Sequence, residues 1–173
     1  MIDSHEYMKQ KIWDTEDVPN AFIVRADAIK KYGLSFCEKY GIMYEDCDFA
    51  YRIRNAGYKI QVVREAKVYH DIEGSSEDGK RKDYMYHFMN DPRRPFVFAR
   101  NRIIFHSLYS SKLQMVSILL VWIWFFTAYY AYKIFCYSGV GSFSLERRVR
   151  LVFQYLKGDI DGLLFIIRKE QLT

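Results

Sequence analysis

Apolar positions follow two regimes along this chain: short runs set among polar residues up to about residue 91, then long and nearly continuous stretches to the end. In the first regime, residues 1–18 are polar, with Asp14, Glu16 and Asp17, and read as surface loop with a short helix around Tyr7–Trp13. Ala21–Val24 is an apolar run of a length suited to a buried strand, and Ala26–Tyr32 follows as a helix stopped by Gly33. From Glu45 the pattern predicts a second helix. Glu45 and Asp46 occupy its first turn, Phe49 and Ile53 lie one turn apart on its inner face, and Gly57 ends it. Lys59–Arg64 and Ala66–His70 then carry β-branched residues in extended spacing, which puts Val68 and His70 on one face and His70 at a strand end. Residues 71–83, rich in Gly, Ser and charge, read as a mobile surface loop.

In the second regime, Pro92 and Pro95 frame a helix starting near Phe96. Val97, Ile104 and Leu108 recur at helical spacing, and Arg93, Arg94, Arg100 and Arg102 make it basic, which suits an amphipathic helix lying on a membrane. Leu113–Tyr132 holds twenty residues without a formal charge. At 1.5 Å per residue this spans about 30 Å, the thickness of a hydrocarbon core. A transmembrane helix is the leading reading; a buried core helix, a re-entrant segment or an in-plane interfacial helix are the alternatives, the last because Trp122, Trp124 and several Tyr suit an interface. A last helix, Leu145–Ile167, is interrupted by Gly158 and Gly162.

Charge sharpens this picture. The formal net charge is +5, yet eight Lys or Arg stand against Asp83 and Asp91 between Lys80 and Lys112. A basic stretch beside an apolar segment attracts anionic lipid headgroups, with a solvated helix face as the plain alternative. A nucleic-acid role would rest on the same arginines, and the adjacent apolar twenty-mer argues against it. Basic residues flank the apolar segment almost equally, so they assign no orientation. Cys37, Cys47 and Cys136 form no CxxC pair, which points away from a disulfide framework or a zinc knuckle. The start of the chain carries no apolar signal core, and the expectation is that the N-terminal part is cytoplasmic.

Candidate chemistry concentrates in Tyr44-Glu45-Asp46-Cys47-Asp48-Phe49-Ala50-Tyr51-Arg52 and the following Gly57-Tyr58-Lys59-Ile60, with His70 downstream. Two carboxylates opening a helix can act as a general base, while the helix N-terminus favours their ionised form. Burial or a neighbouring acid must then restore basicity, a part Glu45 can play for Asp46. Taken alone, such acids more often serve only as favourable helix-terminal charges. His70 alone would read as a satisfied strand-end histidine. Asp46 and Asp48 do not form a chelating pair, because residues two apart on a helix point about 200° from each other.

Together these motifs resemble the C-terminal half of the catalytic domain of family 2 glycosyltransferases of the rhamnosyltransferase-like branch. Phe98-Ala99-Arg100-Asn101-Arg102 is similar to the Arg-Asn motif that follows that domain, and Lys157-Gly158-Asp159-Ile160-Asp161-Gly162-Leu163 is similar to the family's C-terminal Gly-x-x-x-Gly helix. The resemblance implies an α/β, GT-A-type fold: residues 1–91 as the acceptor side of a partial catalytic domain, and 92–173 as amphipathic and transmembrane or membrane-interfacial helices. It further implies inverting transfer from a nucleotide sugar to a glycan or lipid-linked acceptor. Asp46 would be the base, Glu45 would help hold the acceptor, Arg52 would contact substrate, and His70 would complete a Mn²⁺ or Mg²⁺ site on the donor diphosphate. The family's nucleotide-binding βαβ half has no counterpart ahead of Ala21. The expectation is therefore a C-terminal fragment at the cytoplasmic face of a membrane, inactive by itself. A non-catalytic membrane adaptor that keeps a degenerate transferase fold is the alternative.

Overall fold

The computed structural model describes residues 11–18, 21–68, 83–139 and 143–168. These are mostly helical, with one two-stranded antiparallel sheet. They fall into two compact units, one made of the described parts of residues 1–38 and 45–72, the other of the described parts of residues 39–44 and 73–173. The α/β expectation is thus met only by a small sheet among helices.

In the first unit β1 (Ile12–Thr15) pairs with the predicted strand β2 (Ile60–Val63), Ile12 opposite Val63 and Thr15 opposite Ile60. β1 stands where the sequence reading ends a short helix. The reason is tertiary: Asp14 accepts hydrogen bonds from Lys59 Nζ at 2.9 Å and Gln61 Nε2 at 3.0 Å, cross-strand contacts that local periodicity does not reveal. Ala21–Val24, in contrast, forms no strand. A strand needs a neighbour to satisfy its amides, and the described sheet contains only β1 and β2. Ala66–Val68 is not a strand either; the rest of that predicted strand, with His70, and the loop at 71–82 lie outside the described residues.

Two predicted helices form, α1 (Ala26–Tyr32) and α2 (Glu45–Asn55). Each is stopped by a glycine in the left-handed region, Gly33 at φ 59° and Gly57 at φ 86°. At the end of α2 the Tyr58 amide donates to Ile53 O at 3.2 Å and the Gly57 amide to Arg54 O at 2.9 Å, the two bonds of a Schellman motif. α2 turns Phe49 and Ile53 inward against Ala28 and Leu34, with Phe36 stacked on Phe49 at 4.6 Å. Burial of Phe49 and Ile53 contributes about 1.5–3 kcal/mol each.

The second unit contains α3 (Tyr84–Asn90), α4 (Arg93–Tyr109), α5 (Lys112–Ser117), a π-helical turn (Ile118–Trp122), α6 (Ile123–Phe135) and α7 (Leu145–Arg168). Asp83 caps α3 by accepting from the Tyr86 amide at 2.7 Å, and Ser111 with Gln114 forms a capping box on α5. Met85, Phe88 and Met89 of α3 and Ala99 of α4 pack against Ile134 of α6 and against Leu151 and Tyr155 of α7.

Two expectations are corrected here. α4 starts at Arg93, not Phe96, and it is an interior helix: Ala99, Asn101, Arg102, Ile103 and Ile104 are all buried. Two of its arginines meet acids of α7 within the unit, Arg100 with Asp161 at 2.8 Å and Arg102 with Asp159 at 3.1 Å, whereas Arg93 pairs with Asp91 and is exposed. Gly158 and Gly162 do not interrupt α7, which is one helix of 24 residues. They are where α4 passes closest: a Cβ on Gly158 would overlap Phe96 O, and one on Gly162 would lie 2.9 Å from Ile103 Cβ and 3.0 Å from Arg100 O.

The segment Lys112–Phe135 is one helix of 24 residues, long and apolar enough to cross a membrane, and only 11% of its most apolar stretch is buried. That exposure argues against the buried-core alternative. Leu113, Leu120, Val121, Trp124, Phe125 and Tyr132 all point outward. Arg147 and Arg148, which flank the segment in sequence, are helix caps in the structure. Arg148 donates to Ile134 O, Phe135 O, Tyr137 O and Phe143 O at 2.6–3.1 Å, and Arg147 donates to Met89 O and Asn90 O at 3.2 and 2.7 Å. Carbonyls that helix ends leave open are satisfied by these two guanidinium groups.

Candidate acidic site at the start of α2

The chain enters α2 through a conformation that side chains rarely adopt. Gly41, Met43 and Tyr44 have φ of 70°, 66° and 71°, and two of them are not glycine. Each non-glycine residue held there costs about 1–2 kcal/mol. The compensating contacts come from α4 within the second unit. Asn101, fully buried, directs its Nδ2 at Tyr40 O, Ile42 O and Met43 O at 2.8, 3.2 and 2.9 Å. Arg100 holds the Asn101 side-chain oxygen at 2.9 Å and Lys39 O at 3.1 Å while paired with Asp161. The Arg-Asn motif and the Gly-x-x-x-Gly helix are therefore parts of one assembly that fixes residues 39–44, and Glu45 is the next residue in the chain.

In the first turn of α2, Glu45 has one carboxylate oxygen, Oε2, buried without a hydrogen-bond partner among the described residues. Burial pushes its carboxyl pKa up, and the charge of Asp46 adds to this. Asp46 Oδ1 accepts from the Cys47 amide at 2.8 Å. Cys47 lies 3.9 Å, sulfur to oxygen, from Asp17 Oδ2. Burial first, then the carboxylates of Asp46, Asp17 and Glu45, pushes its thiol up to about 12. Three carboxylates thus converge on one protonated thiol, and Asp17 is a member that sequence reasoning left in a surface loop. Nothing local marks it, because its neighbourhood with Cys47 is made only by the fold.

Arg52 and Asp48 behave differently from the acids at the first turn. Asp48 is buried and accepts from Arg52 Nε at 2.8 Å, and Arg52 also donates to Ser35 O. Two of the three guanidinium nitrogens of Arg52 are thereby engaged in holding α2 to the segment after α1. His70 lies outside the described residues. Among the described residues no cluster of three or more His, Cys, Asp or Glu is placed to hold a metal ion. The divalent cation implied by the family resemblance finds no such donor set among the described residues.

What the arrangement can do is accept a proton. Burial raises the basicity of Glu45, and the adjacent Asp46 carboxylate completes a pair of acids from which a general base can be drawn. No family model matches the chain, and no curated protein and no solved structure matches it.

Proposed function

We propose that this chain supplies the acceptor-binding side and the membrane seat of a family 2 glycosyltransferase. The observation that carries the reading is Glu45-Asp46 in the first turn of α2, with Glu45 Oε2 buried and unpartnered among the described residues and its carboxyl made more basic. In this reading Asp46 takes the proton from the acceptor hydroxyl as that oxygen attacks the sugar carbon, and the nucleoside diphosphate departs with the bonding electrons. Glu45 holds the acceptor hydroxyl. Arg52 sets the pitch of α2 through Asp48 and presents its remaining nitrogen to substrate. The acceptor is a glycan or a lipid-linked saccharide, delivered at the cytoplasmic face of the membrane that the Lys112–Phe135 helix enters.

The donor nucleotide sugar, and the metal ion on its diphosphate, belong in this reading to a complementary nucleotide-binding part. The surface of the first unit supports such a partner. A groove of about 460 Å³ is lined by Val18, Phe22, Val24, Ile60 and Val62, and by Ile23, whose side chain is fully exposed. Among the described residues the sheet holds only β1 and β2, which leaves an outer edge on each. A two-stranded sheet is marginal in water, and an apolar groove beside open edges favours added strands.

The test is capture of the protein from its native membranes in mild detergent, followed by an assay for sugar transfer from a mixture of nucleotide sugars. The expected result is transfer by the captured assembly and none by the purified 173-residue chain. Robust transfer by the purified chain would refute the need for a complementary part. An inactive assembly holding an unrelated protein would favour the non-catalytic membrane adaptor, to which the same groove is suited.

A further inference from the structure

The second unit carries an open cavity of about 400 Å³ that takes no part in the proposed transfer chemistry. α4 contributes Arg102 and His106 to its wall, the turn and helix after it Ser110 and Ser117, and the π-helical turn and α6 Trp122 and Phe126. Arg102 is buried, held by Asp159 at 3.1 Å and Tyr155 Oη at 2.9 Å, with the Phe126 ring 4.7 Å from its guanidinium carbon. His106 Nδ1 and Ser110 Oγ are 3.0 Å apart. Among the described residues, Arg102 Nε and His106 Nε2 have no hydrogen-bond partner. The cavity therefore combines free donor capacity and hydroxyls at its polar end with aromatic walls.

Its outer side is apolar. Trp122 is half-exposed, and it belongs to the Lys112–Phe135 helix whose outward residues Leu120, Val121, Trp124 and Phe125 form bare apolar surface. An amphiphile would satisfy both ends at once. π-helical turns displace side chains from helical register and recur at binding sites, and this one places Ile118 and Trp122 on the cavity.

We infer that this cavity is a headgroup site for an anionic phospholipid of the surrounding bilayer. The lipid phosphate accepts from Arg102 Nε, from the Ser117 hydroxyl and from His106 Nε2–H in the tautomer whose Nδ1 accepts from Ser110 Oγ, and an acyl chain lies along Trp122 and the outer face of the apolar helix. The inference rests on membrane association of that helix and not on the transfer reaction.

The test uses tryptophan fluorescence. In the full chain carrying Trp13→Phe and Trp124→Phe, Trp122 is the sole tryptophan. The protein is reconstituted into vesicles doped with brominated-tail phosphatidylglycerol or, separately, brominated-tail diacylglycerol, which lacks the phosphate. Trp122 is expected to be quenched at about tenfold lower mole fraction of the anionic lipid, the scale of one charge-assisted hydrogen bond. That preference should vanish in Ser117→Leu, which fills the cavity, and in His106→Leu, each checked for folding by circular dichroism. Equal quenching by both lipids in protein that co-sediments with vesicles would overturn the headgroup site alone. Failure to co-sediment would overturn the membrane reading beneath it. Displacement of the quencher by millimolar glycerol phosphate would instead assign the cavity to a free phosphate and also overturn the lipid site.

Discussion

Arg102 and Asp159 face each other at 3.1 Å with side chains only 5% and 7% exposed, although they stand in different helices far apart in sequence. The second oxygen of Asp159 accepts from the Thr127 hydroxyl at 2.7 Å, so α4, α6 and α7 meet at one carboxylate. Burial raises the pKa of that carboxyl against the opposing pull of Thr127 and Arg102. Removing one partner of such a pair strands the other in an apolar interior. Asp159→Ala should lower stability by about 3–5 kcal/mol, and Arg102→Met with Asp159→Leu should recover most of the loss. Thermal unfolding of the purified protein in detergent reads both. Additive losses in the double variant would contradict the pairing.

Gly158→Ala and Gly162→Ala separate two opposed effects. Alanine favours an isolated helix over glycine by about 1 kcal/mol, so propensity alone makes both variants more stable. The approach of Phe96 O and Ile103 to these positions reverses the sign, and each variant should lose about 1–3 kcal/mol through overpacking. A higher Tm for either would mean that α4 and α7 do not pack this closely.

The sequence carries this contact only in part. Gly-x-x-x-Gly and Arg-Asn are visible as patterns, but periodicity read the glycines as interruptions and the arginines as a lipid-facing stripe. What neither reading contains is the pairing of Arg100 with Asp161 and Arg102 with Asp159, which draws α4 onto α7. Each helix carries a polar stripe matched only by the other, and no window on one helix contains the second. The same holds for β1, whose partner stands some forty-five residues later, as the Asp14–Lys59 contact measures. Local features were legible throughout: the glycine stops at Gly33 and Gly57, the first-turn acids of α2, and the uncharged helix. Of the acidic site, Glu45 and Asp46 could be read from their place on α2, whereas Asp17 enters only through the fold.

Arg148 should matter for folding more than for membrane orientation. Its guanidinium satisfies two carbonyls in the last turn of α6 and two beyond it. Arg148→Ala should cost about 2–3 kcal/mol, since bonds to a charged donor are the stronger class. Arg150→Ala, whose partner is the exposed Glu146, should cost less than about 0.5 kcal/mol. Equal effects of the two variants would assign Arg148 to the surface.

Cys47 gives a pH-dependent signature. Its folded-state pKa of about 12 exceeds the ordinary 9.0, so the fold favours the neutral thiol. The associated stability is fully present below pH 9 and declines as pH rises towards 12. Wild type should therefore lose more stability than Cys47→Ala between pH 8 and 10.5 in urea titrations. At pH 8 iodoacetamide should label the exposed Cys136 well before Cys47, whose thiolate form is disfavoured by burial and the neighbouring carboxylates. Fast labelling of Cys47 in folded protein would contradict its setting among Asp17, Glu45 and Asp46.

The central claim, that the first turn of α2 supplies the base of a sugar transfer, is tested most directly by Asp46→Asn in the assembly captured from native membranes. The substitution keeps the size of the side chain and its acceptor oxygen for the Cys47 amide, but removes the carboxylate. Transfer should fall by about a hundredfold or more, the range of a general base, with unchanged protein level and thermal stability. Transfer within a factor of about two of wild type would contradict the claim and remove Asp46 from the chemistry.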